Sequence, residues 1–125
     1  MLEKIDLNKK MSKQEYSESL PKIEAELGRL QRECKDLDIP VMIVFEGFGK
    51  GLQIGKLIHS MDPRGFEVHT IKNETEEERM HPFLWRFWIK TPEKGKIAVF
   101  DGSWYRKVWV DRFEKRTREK ELKDD

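Results

Sequence analysis

Gly47, Gly49, Lys50 and Gly51 follow directly on an almost wholly apolar run, Val41-Met42-Ile43-Val44-Phe45, and Asp101 closes a second such run that begins at Lys96. Residues of these types suit the handling of phosphate. Glycines let backbone N–H groups close on phosphate oxygens, a helix N-terminus adds positive potential, and a lysine brings a mobile point charge. An aspartate at the end of a buried strand is placed to hold a magnesium ion against the same phosphates. Arg106 and Lys107 come soon after Asp101, a placement that suits a polyanion. The same residues also have a plainer reading, in which the turn is a tight strand-to-helix connection with an exposed lysine and Asp101 is a strand-end turn residue or a helix N-cap. The strict glycine–lysine loop sets four residues between its first glycine and its Gly-Lys pair, with serine or threonine next. Here Phe48 alone separates Gly47 from Gly49, and Gly51 takes the last position.

The surrounding pattern supplies the elements that such a turn needs. From Ser12 to about Leu37, the apolar residues Leu20, Ile23, Leu27, Leu30, Cys34 and Leu37 recur at spacings of three and four, which predicts one amphipathic helical stripe. Ser12 and Glu15 form a capping box, and Pro21 is expected to divide the run into a short turn and a longer helix. The stripe suits either a dimerising coiled coil or a helix lying on its own domain, and its few heptads favour the second. The run from Val41 then reads as a strand, Leu52 to Met61 as a helix, Asp62-Pro63-Arg64-Gly65 as a turn, and Phe66 to Ile71 as a second strand. Asn73, with Glu76 three residues on, reads as a helix start whose acids, Glu74 to Glu78, are solvated. Met80, Phe83, Leu84, Phe87 and Trp88 continue at helical spacing, with a break or a new start at Pro82 and with Arg86 on the outer face. Lys96 to Asp101 is the third strand. The segment from Trp104 to Asp125 becomes nearly all charge after Phe113, as in a solvated helix.

Strand and helix alternate with connections long enough for crossovers, so the class is α/β with a parallel sheet. Three strands are few for that class, and the expectation is an incomplete domain: a helical segment over 1–40, then the N-terminal part of an α/β domain over 41–125. Composition narrows the partners. The 125 residues carry a net charge of only +1 although 39% are charged, so no global field draws the chain to nucleic acid or an anionic membrane. Cys34 is the single cysteine, which excludes an intramolecular disulfide framework, and it forms no ligand cluster with His59, His69 and His81. A reducing cytoplasm fits that usage. No run approaches the roughly 20 apolar residues of a membrane span.

The wording of the motifs goes further. Phe45-Glu46-Gly47 with Gly49-Lys50-Gly51, Asp62-Pro63-Arg64-Gly65-Phe66-Glu67-Val68-His69, Thr75-Glu76-Glu77-Glu78, His81-Pro82-Phe83-Leu84-Trp85-Arg86-Phe87-Trp88, and Phe100-Asp101 with Ser103-Trp104-Tyr105 closely resemble the polyphosphate kinase 2 family over residues 20–113. The two-domain polyphosphate:AMP phosphotransferases are the most similar group within it. The resemblance implies a P-loop kinase-like fold and magnesium-dependent phosphoryl transfer between inorganic polyphosphate and a nucleotide, AMP or ADP. It implies Gly47, Gly49, Lys50 and Gly51 as phosphate ligands, Lys50 and Asp101 as the catalytic pair, Asp101 as the magnesium ligand, and Lys107 as a contact to the anionic chain. Arg106 joins this set, and Arg64 and Lys72 are weaker candidates by basic character and strand-end position. Further copies of the chain, or a further domain, are expected to complete it.

Departures from the family pattern are specific. The loop is three residues short, Gly49 stands where the family often has aspartate, Gly102 stands where it usually has arginine, and Arg106 replaces a frequent glycine. The chain also stops before the family's lid. These departures suit a rival reading, a non-catalytic structural domain of a two-domain relative, and a third, a phosphate-binding module without transfer.

Overall fold

The computed structural model describes residues 10–107 and 109. The expected charged helix after Phe113 and the first nine residues lie outside them. Helix α1 spans Lys13–Asp36 and opens on the predicted capping box, with the Ser12 hydroxyl accepting from the Glu15 N–H at 3.1 Å. It passes through Pro21 without the expected break. Pro21 stands on the exposed face, where the carbonyl it leaves unbonded can turn to water. Ser17 and Ser19 return hydroxyl bonds to the Lys13 and Glu15 carbonyls on the preceding turn.

The stripe on α1 splits in two. Leu20, Leu27 and Cys34 are half-buried, whereas Ile23, Leu30 and Leu37 are exposed. The helix lies on its own domain, and its anchor is polar. Gln31, buried, accepts from the Asp62 N–H at 2.7 Å and donates to the Asp62 carbonyl at 2.9 Å. Gly65 makes room for that clasp, because a Cβ there would meet the Gln31 amide nitrogen at 2.6 Å.

Strand β1 covers Val41–Phe45, helix α2 Lys50–His59, strand β2 Phe66–Thr70, short helices α3 and α4 Glu76–Arg79 and Trp85–Trp88, and strand β3 Ile97–Asp101. The sheet is wholly parallel in the order β1-β3-β2, as the α/β reading expects. β3 is central and reads as a continuous apolar run because both of its faces are covered. Ile97 and Val99 face α2, packing with Ile54 and Met61. Ala98 and Phe100 face the other way, against Ile71 and Phe87. Val99 and Phe100 are fully buried, and each such side chain stabilises the fold by about 1.5–3 kcal/mol.

The register sets the three strand ends at one level, with Phe45 and Thr70 both opposite Asp101. Two sequence expectations shift on the β2–β3 connection. The cap of α3 is Thr75 with Glu78 in reciprocal bonds of 3.1 and 3.0 Å, two residues beyond Asn73. Arg86 is buried rather than outward, and Trp88 takes the exposed side. Its guanidinium has reason to be inside: one Nη donates to the Lys72 carbonyl at 2.8 Å and lies 3.3 Å from the Glu78 carboxylate. Glu78, only 15% exposed, is thus drawn out of the solvated set.

Candidate phosphate site at the carboxyl ends of the strands

The turn after β1 needs its glycines. Gly47 and Gly49 sit at φ 93° and 75°, in the left-handed region, and Gly49 is the residue that hands the chain to α2. A Cβ at either would meet nothing within 4 Å, and the Phe48 side chain stands fully in solvent. The loop is therefore an open turn. Lys50 is the first residue of α2, and its side chain folds back across the end of β3 to place Nζ 2.8 Å from Asp101 Oδ1. That oxygen is buried and has no hydrogen-bond partner of good geometry, so its contact is the ammonium charge alone. With the two side chains 33% and 24% exposed, the pair contributes no more than about 1 kcal/mol, and an incoming anion or cation can part it at little cost.

Gly102 belongs to the same arrangement. It has φ 88°, its N–H donates to the Phe45 carbonyl at 3.0 Å, and a Cβ there would stand 3.3 Å from Lys50 Nζ. Two residues that sequence reasoning did not assign complete the floor. Ser103, buried, donates its hydroxyl to Glu46 Oε1 at 2.6 Å and accepts from the Tyr105 N–H at 3.2 Å. The available signal was position alone: Glu46 directly follows β1, and Ser103 stands two residues past Asp101.

Asp101 suits a divalent cation. Magnesium is commonly held by one or two carboxylates together with phosphate oxygens and waters, and a buried carboxylate oxygen lacking a hydrogen bond supplies the protein's share. Among the described residues no group of three or more His, Cys, Asp or Glu side chains forms an all-protein cage, so the remaining ligands would come from substrate and solvent.

The other predicted cations divide. Lys72, Arg106 and Lys107 line a cleft of about 570 Å³ between the β2–α4 connection and the segment after β3. Residues 47–51 do not line it; Ser103 joins the two regions. Lys107 Nζ sits 4.5 Å from the centre of the Phe83 ring. Arg64 is a correction. It precedes β2 and so lies at the amino end of the sheet, a strand length on the order of 15 Å from the site. There it forks onto Asp62, with Nη2 to Oδ2 at 2.8 Å. Those bonds, and the Arg64 backbone N–H, hold the Asp62 carboxyl down to about 2.

A sequence model of the polyphosphate kinase 2 family matches residues 10–125. The polyphosphate:AMP phosphotransferase of Pseudomonas aeruginosa is 38% identical over 117 residues, which cover 91% of this chain and 24% of that protein. ADP-polyphosphate phosphotransferase 1 of Rhizobium meliloti is 35% identical over 106 residues, covering 82% of this chain and 35% of the relative. Among solved structures, polyphosphate kinase 2 from Arthrobacter aurescens superposes with a TM-score of 0.84 at 27% identity, over 99% of this chain and 48% of that one. The chain thus spans about a fifth to a half of the proteins it matches.

Proposed function

The chain belongs to the polyphosphate kinase 2 family, and from that premise we propose that it is the phosphate-loop part of a cytoplasmic, magnesium-dependent phosphotransferase acting between inorganic polyphosphate and a nucleoside mono- or diphosphate. The observation that carries this reading is the 2.8 Å approach of Lys50 to Asp101 across the ends of β1 and β3. In phosphoryl transfer a P–O bond of the polyphosphate terminus breaks as one forms to an oxygen of the nucleotide phosphate, and the protein contributes positioning and charge neutralisation. In this chain, Lys50 and the N-terminus of α2 bind the phosphoryl oxygens, with Gly47, Gly49 and Gly51 keeping the backbone open to them. Asp101 would hold magnesium, which supplies further neutralisation of the same oxygens. Lys50 would turn from Asp101 to a bound phosphate at little cost, because the 2.8 Å pair is partly exposed and weak.

A second reading, a phosphate-binding or structural domain without transfer, is favoured by the openness of residues 47–51. They lie outside the cleft, and nothing among the described residues walls a transferring group from water. Incubating the purified chain with polyphosphate, magnesium and AMP or ADP decides between them. Formation of ADP or ATP that falls at least about a hundredfold in Lys50→Ala supports transfer, and product no higher than in that variant refutes it.

A further inference from the structure

Glu46 is an acid placed directly beside a loop read as binding phosphate, and among the described residues its exposed carboxylate forms no ion pair. A negative charge there repels the anion that Lys50 attracts. What the carboxylate does make is a bond from the Ser103 hydroxyl at 2.6 Å, within the about 2.5–2.7 Å of a charge-assisted O–H···O contact. Ser103 is 2% exposed, so water does not compete for its hydroxyl. The two residues leave the sheet side by side, because the Gly102 N–H donates to the Phe45 carbonyl at 3.0 Å and carries the β1–β3 pairing one bond past the strands.

Ser103 also closes the turn that follows β3. Its hydroxyl accepts from the Tyr105 N–H at 3.2 Å and its carbonyl from the Arg106 N–H at 3.2 Å, while the Lys107 N–H reaches the Trp104 carbonyl at 3.2 Å. Trp104, inside the turn, meets the Phe87 and Phe100 rings edge-on at 5.6 and 6.3 Å. Packing thus holds the apolar side of the turn, and Glu46, through Ser103, holds the polar side that carries Arg106 and Lys107. Resting on the phosphotransfer reading above, we infer that Glu46 is a positioning residue: acting through the Ser103 hydroxyl, it fixes the basic turn after β3 relative to the Lys50 loop, so that the cations of the two segments meet the substrate phosphates in one register. Phosphoryl transfer draws on such fixed spacing, since a misplacement of about 1 Å costs on the order of a hundredfold in rate. The role needs an acceptor oxygen and no charge. Glutamine keeps that oxygen, whereas alanine leaves a buried hydroxyl proton without its acceptor.

The test is calorimetric titration of the whole chain with tripolyphosphate, with and without magnesium, in wild type, Glu46→Gln, Glu46→Ala, Ser103→Ala and the double variant Glu46→Ala/Ser103→Ala. Glu46 is exposed, so its own variants leave the core intact and melt as wild type does. Affinity falls about fivefold or more in Glu46→Ala, as the loss of one ordinary hydrogen bond implies. Glu46→Gln matches wild type or binds up to about threefold tighter, because one repelling charge is gone. Ser103→Ala and the double variant stay within about twofold of Glu46→Ala, since the two residues act as one unit. Amide hydrogen exchange without ligand gives a second readout: Tyr105 and Arg106 exchange about tenfold faster in Glu46→Ala and as in wild type in Glu46→Gln. A loss in Glu46→Gln equal to that in Glu46→Ala, with magnesium or without it, makes the charge the working feature and overturns the assignment. Unchanged affinity or unchanged exchange in Glu46→Ala, single losses that multiply in the double variant, or no tripolyphosphate binding by wild type at about millimolar concentration also overturns it. The phosphotransfer reading fails separately. No ADP or ATP formation with the binding order intact sinks transfer and leaves the positioning role, and product formation indifferent to Glu46→Ala sinks the positioning role alone.

Discussion

Replacing Arg86 by methionine keeps most of the side-chain volume and removes the charge at the centre of the β2–β3 connection. The lost contacts are a 2.8 Å bond to the Lys72 carbonyl and a 3.3 Å approach to Glu78, both made by a guanidinium 8% exposed. A hydrogen bond from a charged donor is worth about 1.5–3 kcal/mol, and removing one partner of a buried ion pair costs about 3–5 kcal/mol because the other charge is stranded. Glu78 is not stranded completely. It keeps its bond from the Thr75 N–H and Lys90 at 4.0 Å, which places the total near the lower end, about 3 kcal/mol. That is a large fraction of the ~5–15 kcal/mol that holds an ordinary domain together. With a urea dependence of about 1–3 kcal/mol per molar, the unfolding midpoint of the whole chain falls by roughly 1–3 M. Adding Glu78→Gln to Arg86→Met removes the stranded carboxylate, keeps the cap to Thr75, and restores about 1 kcal/mol or more. A loss below about 1 kcal/mol for Arg86→Met, or a double variant as unstable as the two single losses added, would refute the claim that this pair is a buried, mutually dependent unit.

Two further outcomes follow from backbone and charge. Gly102→Ala forces a side chain into φ 88° and sets its Cβ 3.3 Å from Lys50 Nζ; it destabilises by about 1–3 kcal/mol in thermal unfolding and weakens tripolyphosphate binding, whereas unchanged stability would show that the loop relaxes freely. The Asp62 carboxyl, held down by the Arg64 side chain and then by its backbone N–H, titrates near 2 when followed by NMR. Because the folded value is depressed, the contribution is fully present above the ordinary carboxylate range near 4 and is lost as pH falls through about 2. In Arg64→Ala the midpoint rises toward the ordinary value, and an unmoved midpoint would show that the fork does not persist in solution.

Period and punctuation placed the three strands and the two longer helices. The β-branched run before Gly47 and the run ending at Asp101 read as strands, of which only the second is buried, and the spacing of Leu20, Leu27 and Cys34 read as a helix face, because those periods put like side chains on one side. The pairing of Lys50 with Asp101 was legible by the same means, since a parallel crossover brings both strands' carboxyl ends to one edge. Pro21 and Arg86 were not legible. A proline is read as a break from its missing N–H, but tertiary contact along α1, with Gln31 clasped to Asp62, holds the helix through it. An arginine among aromatics is read as solvent-facing from its charge, but its burial depends on a carbonyl fourteen residues earlier and a carboxylate eight residues earlier. Arg64 and Lys72 looked alike in sequence, one before and one after β2, and strand direction alone sent them to opposite ends of the sheet. The residue types by themselves raised the expectation of phosphate chemistry at a strand-to-helix turn. Only the tertiary structure decided which cations share a cleft, because side-chain charge is a local property and its neighbours are set by the register of strands far apart in the chain.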